Sequence, residues 1–182
     1  SSPALSLSCP SSRRVKEGPN ASARASEPTT NNRSPCTVLR RSHVPTHVFE
    51  AIDALPITAH PMTMFVVGVM ALQTESYFQK KYGEGINKKD YWLPVFDDSI
   101  VLLARLPRIA AYIYRRTYHN NDHIPPDNSQ DWAGNFAHML GIPGDGFKNL
   151  MRLFLTIHAD HEGGNASAHT THLIGSTLSD PY

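Results

Sequence analysis

Between Asp97 and Tyr114, apolar side chains return every three or four residues: Ile100, Leu103, Ala104, Leu106, Ile109, Ala110, Ile113 and Tyr114. That interval is the period of an α-helix with one face turned to a core, and it does not suit a strand, whose faces alternate. Asp97 or Asp98 opens the helix. Pro107 should kink or break it, because its ring lacks an N–H and crowds the preceding turn. Arg115, Arg116 and His119 put positive charge at the C-terminal end, where the helix dipole favours it.

The same period governs the chain from about His43 onward. Val44, Val48 and Ile52 mark a short helix over His43–Ala54, punctuated by Leu55-Pro56. Pro61 stands at the start of a second, where a missing N–H costs nothing. This helix passes through Met64, Phe65, Gly68, Val69, Leu72, Ser76 and Tyr77 to about Lys81. Its early part is apolar nearly all round, so it should be buried or form an interface, and Gly68 and Ala71 leave room for another helix. Ser129 is a candidate cap for a helix with Trp132, Phe136, Met139 and Leu140 on its apolar face. Gly141–Gly146 makes a turn, and Asp145–Ala159 forms a helix with Phe147, Leu150, Met151, Phe154 and Leu155 inward. A last helix runs to about Leu178. Strand alternation is weak throughout, and the expected fold class is all-α and multi-helical.

With 182 residues the chain can form one domain. A formal net charge of +1 gives no electrostatic footprint for nucleic acid or an anionic membrane. No apolar run approaches the ~20 residues of a membrane span; the longest, Phe65–Leu72, has the length of a buried segment. Cys9 and Cys36 are too few for a disulfide scaffold, which favours a reducing compartment. Residues 1–41 are rich in Ser, Arg and Pro, poor in acids and without apolar period, so they read as a disordered or non-native leader. The Arg/Ser bias is that of an organelle transit peptide, without its clear amphipathic helix.

The stretch His158-Ala-Asp-His-Glu-Gly-Gly-Asn-Ala-Ser-Ala-His-Thr-Thr-His172 is the densest in chemistry. On one helix, His158, His161, Asn165, His169 and His172 would fall within about 80° of one another. Three readings fit these residues. They can be polar helix-end groups bonded to backbone and water. They can form a metal site, since His158/His161 and His169/His172 have i,i+3 spacing, although the pattern is not H-E-x-x-H or its inverse. They can form an anion site, in which imidazole N–H groups, the Asn amide and the Gly163-Gly164 backbone suit a carboxylate. Two glycines inside a helix cost roughly 1 kcal/mol each relative to Ala, a cost that close approach of a ligand would explain.

The run His158–Thr170 closely resembles the corresponding segment of eukaryotic, mitochondrial-type citrate synthases. The resemblance extends, in order, through His60-Pro61-Met62, Gly68–Leu72, Tyr91-Trp92, Asp98-Ser99, Ala110–Arg115, Asn135–Gly141, Leu150–Leu153 and Leu178–Tyr182. It covers about residues 42–182, which on this resemblance are part of the family's large helical domain; the leader does not resemble the family's N-terminal region.

Members of that family condense acetyl-CoA with oxaloacetate and hydrolyse citryl-CoA to citrate and CoA. The resemblance implies no metal and no cofactor, with acetyl-CoA as a substrate. His161 matches the family's oxaloacetate-binding histidine, whose ring N–H would orient the substrate. Asn165, Ser167 and His169 match neighbours of the site, in a supporting role. Lys88 aligns where some members place a basic residue against CoA phosphate across the dimer; a solvated loop lysine is the competing reading. The resemblance also implies a homodimer through the 61–82 helix region and a mitochondrial matrix location, with a peroxisomal isoform as the alternative.

The family's two catalytic histidines and its catalytic Asp belong to segments like Gly-Pro-Leu-His-Gly and Pro-Gly-Tyr-Gly-His and to a region beyond them. None of these occurs in the 182 residues. The expectation is therefore an internal fragment, inactive by itself and prone to self-association. The rivals are a metal-binding helical protein using His158, His161, His169 and His172, and a non-catalytic interaction module.

Overall fold

A computed structural model describes residues 41–127, 129–159 and 166–182. Those residues form seven α-helices: α1 (Thr46–Asp53), α2 (Pro61–Leu72), α3 (Tyr77–Gly83), α4 (Trp92–Tyr118), α5 (Trp132–Leu140), α6 (Asp145–Ala159) and α7 (Ala166–Ser176). Among the described residues there is no strand, as the periodicity predicts. No described helix is long and apolar enough to cross a membrane. Except for Arg41, which pairs with Asp97 at 3.3 Å, the expected leader lies outside the described residues.

The core sits where α1, α2 and α4 meet. Val44, Val48, Ile52, Met64, Leu72, Ile109 and Ile113 form its buried cluster. Gly68 lets the three helices close. A Cβ there would stand 2.9 Å from Ile52 and 3.1 Å from Ile109, closer than packed carbons approach. Only one face of α2 is used: Met64, Gly68 and Leu72 are buried, whereas Met62, Val66 and Met70 are more than half exposed.

Helix α2 stops at Leu72 rather than near Lys81. A 3₁₀ turn (Gln73–Glu75) follows, and α3 then starts afresh. The restart is capped from two directions. The Ser76 hydroxyl accepts from the Gln79 N–H at 3.0 Å, and the buried Asp98 carboxylate of α4 accepts from the Tyr77 and Phe78 N–H groups at 3.0 and 2.7 Å. These N–H groups have no partner inside a helix. A carboxylate twenty residues away supplies one, which no local rule foresees.

Helix α4 is a single element of 27 residues that starts at Trp92, ahead of the expected Asp97 or Asp98, and runs through Pro107 without breaking. Proline at 107 deprives the Leu103 carbonyl of its usual donor. The Trp132 indole of α5 replaces it, donating to Leu103 O at 3.1 Å. The helix stays continuous, and the freed carbonyl keeps a partner that the tertiary structure provides.

At its far end α4 carries two buried arginines that do more than answer their own helix dipole. Arg116 donates to Leu55 O at 2.7 Å and pairs with Asp53 at 3.0 Å, so it closes the C-terminal end of α1. Arg115 donates to Leu140 O at 3.1 Å, to Asp122 O and to the Asp122 carboxylate at 2.8 Å. It thereby fastens both the 119–127 loop and the end of α5, where Gly141 adopts φ +81°.

The cap of α5 is Asp131, which accepts from the Gly134 N–H at 2.8 Å, and not Ser129. Ser129 bonds Asp127 instead, through its N–H at 2.9 Å and its hydroxyl at 2.7 Å. The buried face of α5 also differs from expectation. Of Trp132, Phe136, Met139 and Leu140 only Met139 is buried, beside Ala133, Gly134, Asn135 and Ala137. Small side chains let α5 lie close to its neighbours. Helix α6 has the predicted bounds, yet none of its residues is buried, and Leu150 and Phe154, expected inward, are about half exposed.

Candidate functional site

Helix α6 carries the first part of the histidine stretch. It is held on α5 by Lys148 Nζ to Gln130 at 3.1 Å and by Arg152 Nε to Asp131 at 2.9 Å. The carboxylate that caps α5 thus also anchors α6. Burial pushes the Asp131 pKa upward, but hydrogen bonds from Arg152 and from the Gly134 amide outweigh it and draw the group below the usual carboxylate value.

His158 occupies the last turn of α6. Its Nδ1 donates to the Phe154 carbonyl at 2.7 Å, since a carbonyl can only accept, and its ring lies 4.0 Å from the Phe154 ring. The imidazole is spent on its own helix, in line with the first of the three readings. His161 and Asn165 fall within 160–165, outside the described residues, as do Asp160, Glu162 and both glycines. The chain is described again as α7, where Ser167 and His169 lie in the first two turns and His172 follows one turn later, all three exposed or partly so. Thr170 and Thr171 turn their hydroxyls back to the Ala166 and Ser167 carbonyls at 2.8 and 2.9 Å. One helical face from His158 to His172 would have to run through 160–165, so it too lies outside the described residues.

Lys88 opens a 3₁₀ turn, Lys88–Asp90, directly before α4, with its side chain exposed. The Asn87 side chain caps that turn by accepting from the Lys89 N–H at 3.2 Å. Among the described residues no three His, Cys, Asp or Glu side chains are grouped as a metal ion requires. His161, which the metal reading needs, is not one of them.

Sequence reasoning missed the polar anchors that hold these elements: Asp98, Asp131 and the two buried arginines. Their common signal is a charged residue within an apolar helical pattern, as at Asp98 two residues before Ile100 and at Arg115-Arg116 after Tyr114. The signal marks burial of a charge but does not name its partner.

A family model for the citrate synthase C-terminal domain matches residues 25–182. The mitochondrial citrate synthase of Daucus carota is 61% identical over 142 residues, which are 78% of this chain and 30% of the carrot protein. The peroxisomal citrate synthase of Saccharomyces cerevisiae is 49% identical over 145 residues, 80% of this chain and 32% of that protein. A solved citrate synthase from Pyrobaculum aerophilum superimposes with a TM-score of 0.68 at 27% identity, covering 80% of this chain and 37% of that one. The chain thus spans about 30% of the length of the curated relatives it matches. With a family model matching most of its length, this chain belongs to the citrate synthase family.

Proposed function

We propose that these residues are the oxaloacetate-binding helical segment of an acyltransferase that condenses acetyl-CoA with oxaloacetate to give citrate and CoA. The observation that carries the reading is the run His158–Thr170, with its His-Glu-Gly-Gly-Asn centre, inside a chain 61% identical to the carrot enzyme over 142 residues. His161 is the substrate-binding residue. Its ring N–H bonds the keto-diacid and sets its orientation, while proton transfer falls to groups that the 182 residues do not contain. Asn165, Ser167 and His169 support it, the last two from the first turns of α7, and Lys88 is the candidate for CoA phosphate. The reaction calls on no resident cofactor or metal. Residues 42–182 act as part of the large helical domain, with 1–41 outside it.

Assembly follows from α2. Its outward face exposes Met62, Val66 and Met70, and Met62 also lines an apolar groove of about 370 Å³ between α2 and α4 with Phe65, Ile113 and Tyr114. Such a face is covered in a stable protein, and the proposed cover is a second copy meeting it across a two-fold axis through the 61–82 region. The proposed compartment is the mitochondrial matrix, in keeping with a carrot relative named as mitochondrial; tagged expression in cells that places the protein in peroxisomes would reverse that assignment.

The test is a chimera in which residues 42–182 replace the matching segment of the carrot enzyme. Oxaloacetate-dependent release of CoA from acetyl-CoA is expected, and His161→Ala in the chimera should weaken oxaloacetate binding by calorimetry at least about tenfold. Undiminished oxaloacetate binding by that variant would end the assignment of His161. The 182-residue chain assayed alone should release no CoA.

A further inference from the structure

A second concavity, of about 330 Å³, opens between α1, α4 and the 119–127 loop. That volume is at the lower end of what small-molecule sites occupy. One wall is aromatic and rigid. The Tyr112 and His123 rings stack at 3.9 Å with 7° between their planes, and Phe49 lies 4.4 Å from Tyr112 on a 35° tilt. The Tyr112 hydroxyl donates to Asp53 at 2.6 Å, and His123 is steadied by the Asn121 side chain at 3.1 Å. Ile124 and Met139 add an apolar floor.

The opposite feature is a charge without an answer. Arg115 at the rim is matched by Asp122, and Asp53 is matched by Arg116. Arg108, by contrast, has its guanidinium 5.5 Å above the Phe49 ring, and among the described residues no carboxylate pairs with it. Partial burial lowers its pKa, as expected of a guanidinium partly withdrawn from water. A planar guanidinium fork beside stacked rings fits a flat ligand that ends in a carboxylate, which would supply the missing charge and bind it through two hydrogen bonds.

We infer that this cavity binds a planar aromatic carboxylate, its ring against the Phe49–Tyr112–His123 wall and its carboxylate on Arg108. The inference does not depend on the proposed reaction.

The test uses the 182-residue chain, 1-naphthoate as probe and neutral 1-naphthamide as control, followed through the His123 ring protons by NMR. Naphthoate should shift those protons saturably and raise the His123 pKa, since an anion beside the ring favours imidazolium. It should bind about tenfold more tightly than the amide, and Arg108→Gln should erase that preference. Equal binding of acid and amide, or His123 signals unmoved at millimolar naphthoate, would overturn the inference. If Arg108→Gln fails to fold by far-UV circular dichroism, the acid-to-amide ratio and the His123 titration of the unsubstituted chain decide the matter.

Discussion

Helices α4 and α6 have similar amphipathic sequences and opposite fates. Along α4, Ala104, Ile109, Ala111 and Ile113 are buried, and the helix packs against α2, α3 and α5. Along α6 no residue is buried, and Leu150, Leu153, Phe154 and Ile157 stand about half or more exposed. Periodicity sets which side chains share a face. Whether the face is covered depends on a second element arriving there, and among the described residues α6 packs chiefly on α5, with Asp131 and Gln130 just ahead of that helix tying it down.

The sharpest way to break this contrast is to truncate one apolar side chain in each region. Ile109→Ala, at a fully buried position, should cost about 2–5 kcal/mol in urea unfolding, whereas Leu153→Ala on α6 should stay within about 0.5 kcal/mol. Comparable losses would mean that α6 is covered after all. Gly68→Ala should cost about 1–3 kcal/mol by overpacking, because Ile52 and Ile109 stand where its methyl would go.

A double-mutant cycle tests how α4 survives Pro107. Trp132→Phe should cost up to about 1 kcal/mol by handing the Leu103 carbonyl from the indole to solvent. The cost should be much less in a Pro107→Ala background, where the alanine restores a backbone N–H that takes that carbonyl. Additive effects would rule out the indole as replacement donor. Hydrogen exchange should order the helices in the same way, with α6 and α7 amides exchanging faster than those of α4.

The smallest effect concerns the loop ahead of α5. Hydrogen bonds from the Ser129 amide and hydroxyl and from Gln130 hold the Asp127 carboxyl down to about 2. A carboxylate with a depressed folded-state pKa stabilises the fold above its unfolded value. The contribution is lost as pH falls from about 4 toward 2. Asp127→Asn should therefore be slightly less stable than the parent at neutral pH, with the gap closing through that acid window in pH-dependent denaturation curves.

The legible part of the fold was local. The starts of α2 and α6, the small residue at Gly68 and the absence of strands among the described residues were readable because each depends on neighbours within a turn or two. The early end of α2 and the continuity of α4 through Pro107 were not, because each depends on a group brought from elsewhere in the chain; the Asp131 cap is local, and Ser129 competed for the same role two residues earlier. In the candidate site, His158 could be read as a helix-end histidine, and His161 owed its role to a resemblance of pattern.

Sequence by itself therefore determined the helical period, the all-α class and the family signature around His161, since these reside in residue order and in side chains a few positions apart. Tertiary structure alone decided which apolar faces are covered, that Asp98 caps α3, and that Arg115 and Arg116 close the ends of α5 and α1. The physical reason is that an unpaired helix-end N–H or carbonyl accepts any partner of suitable geometry, and only the folded chain determines which one arrives.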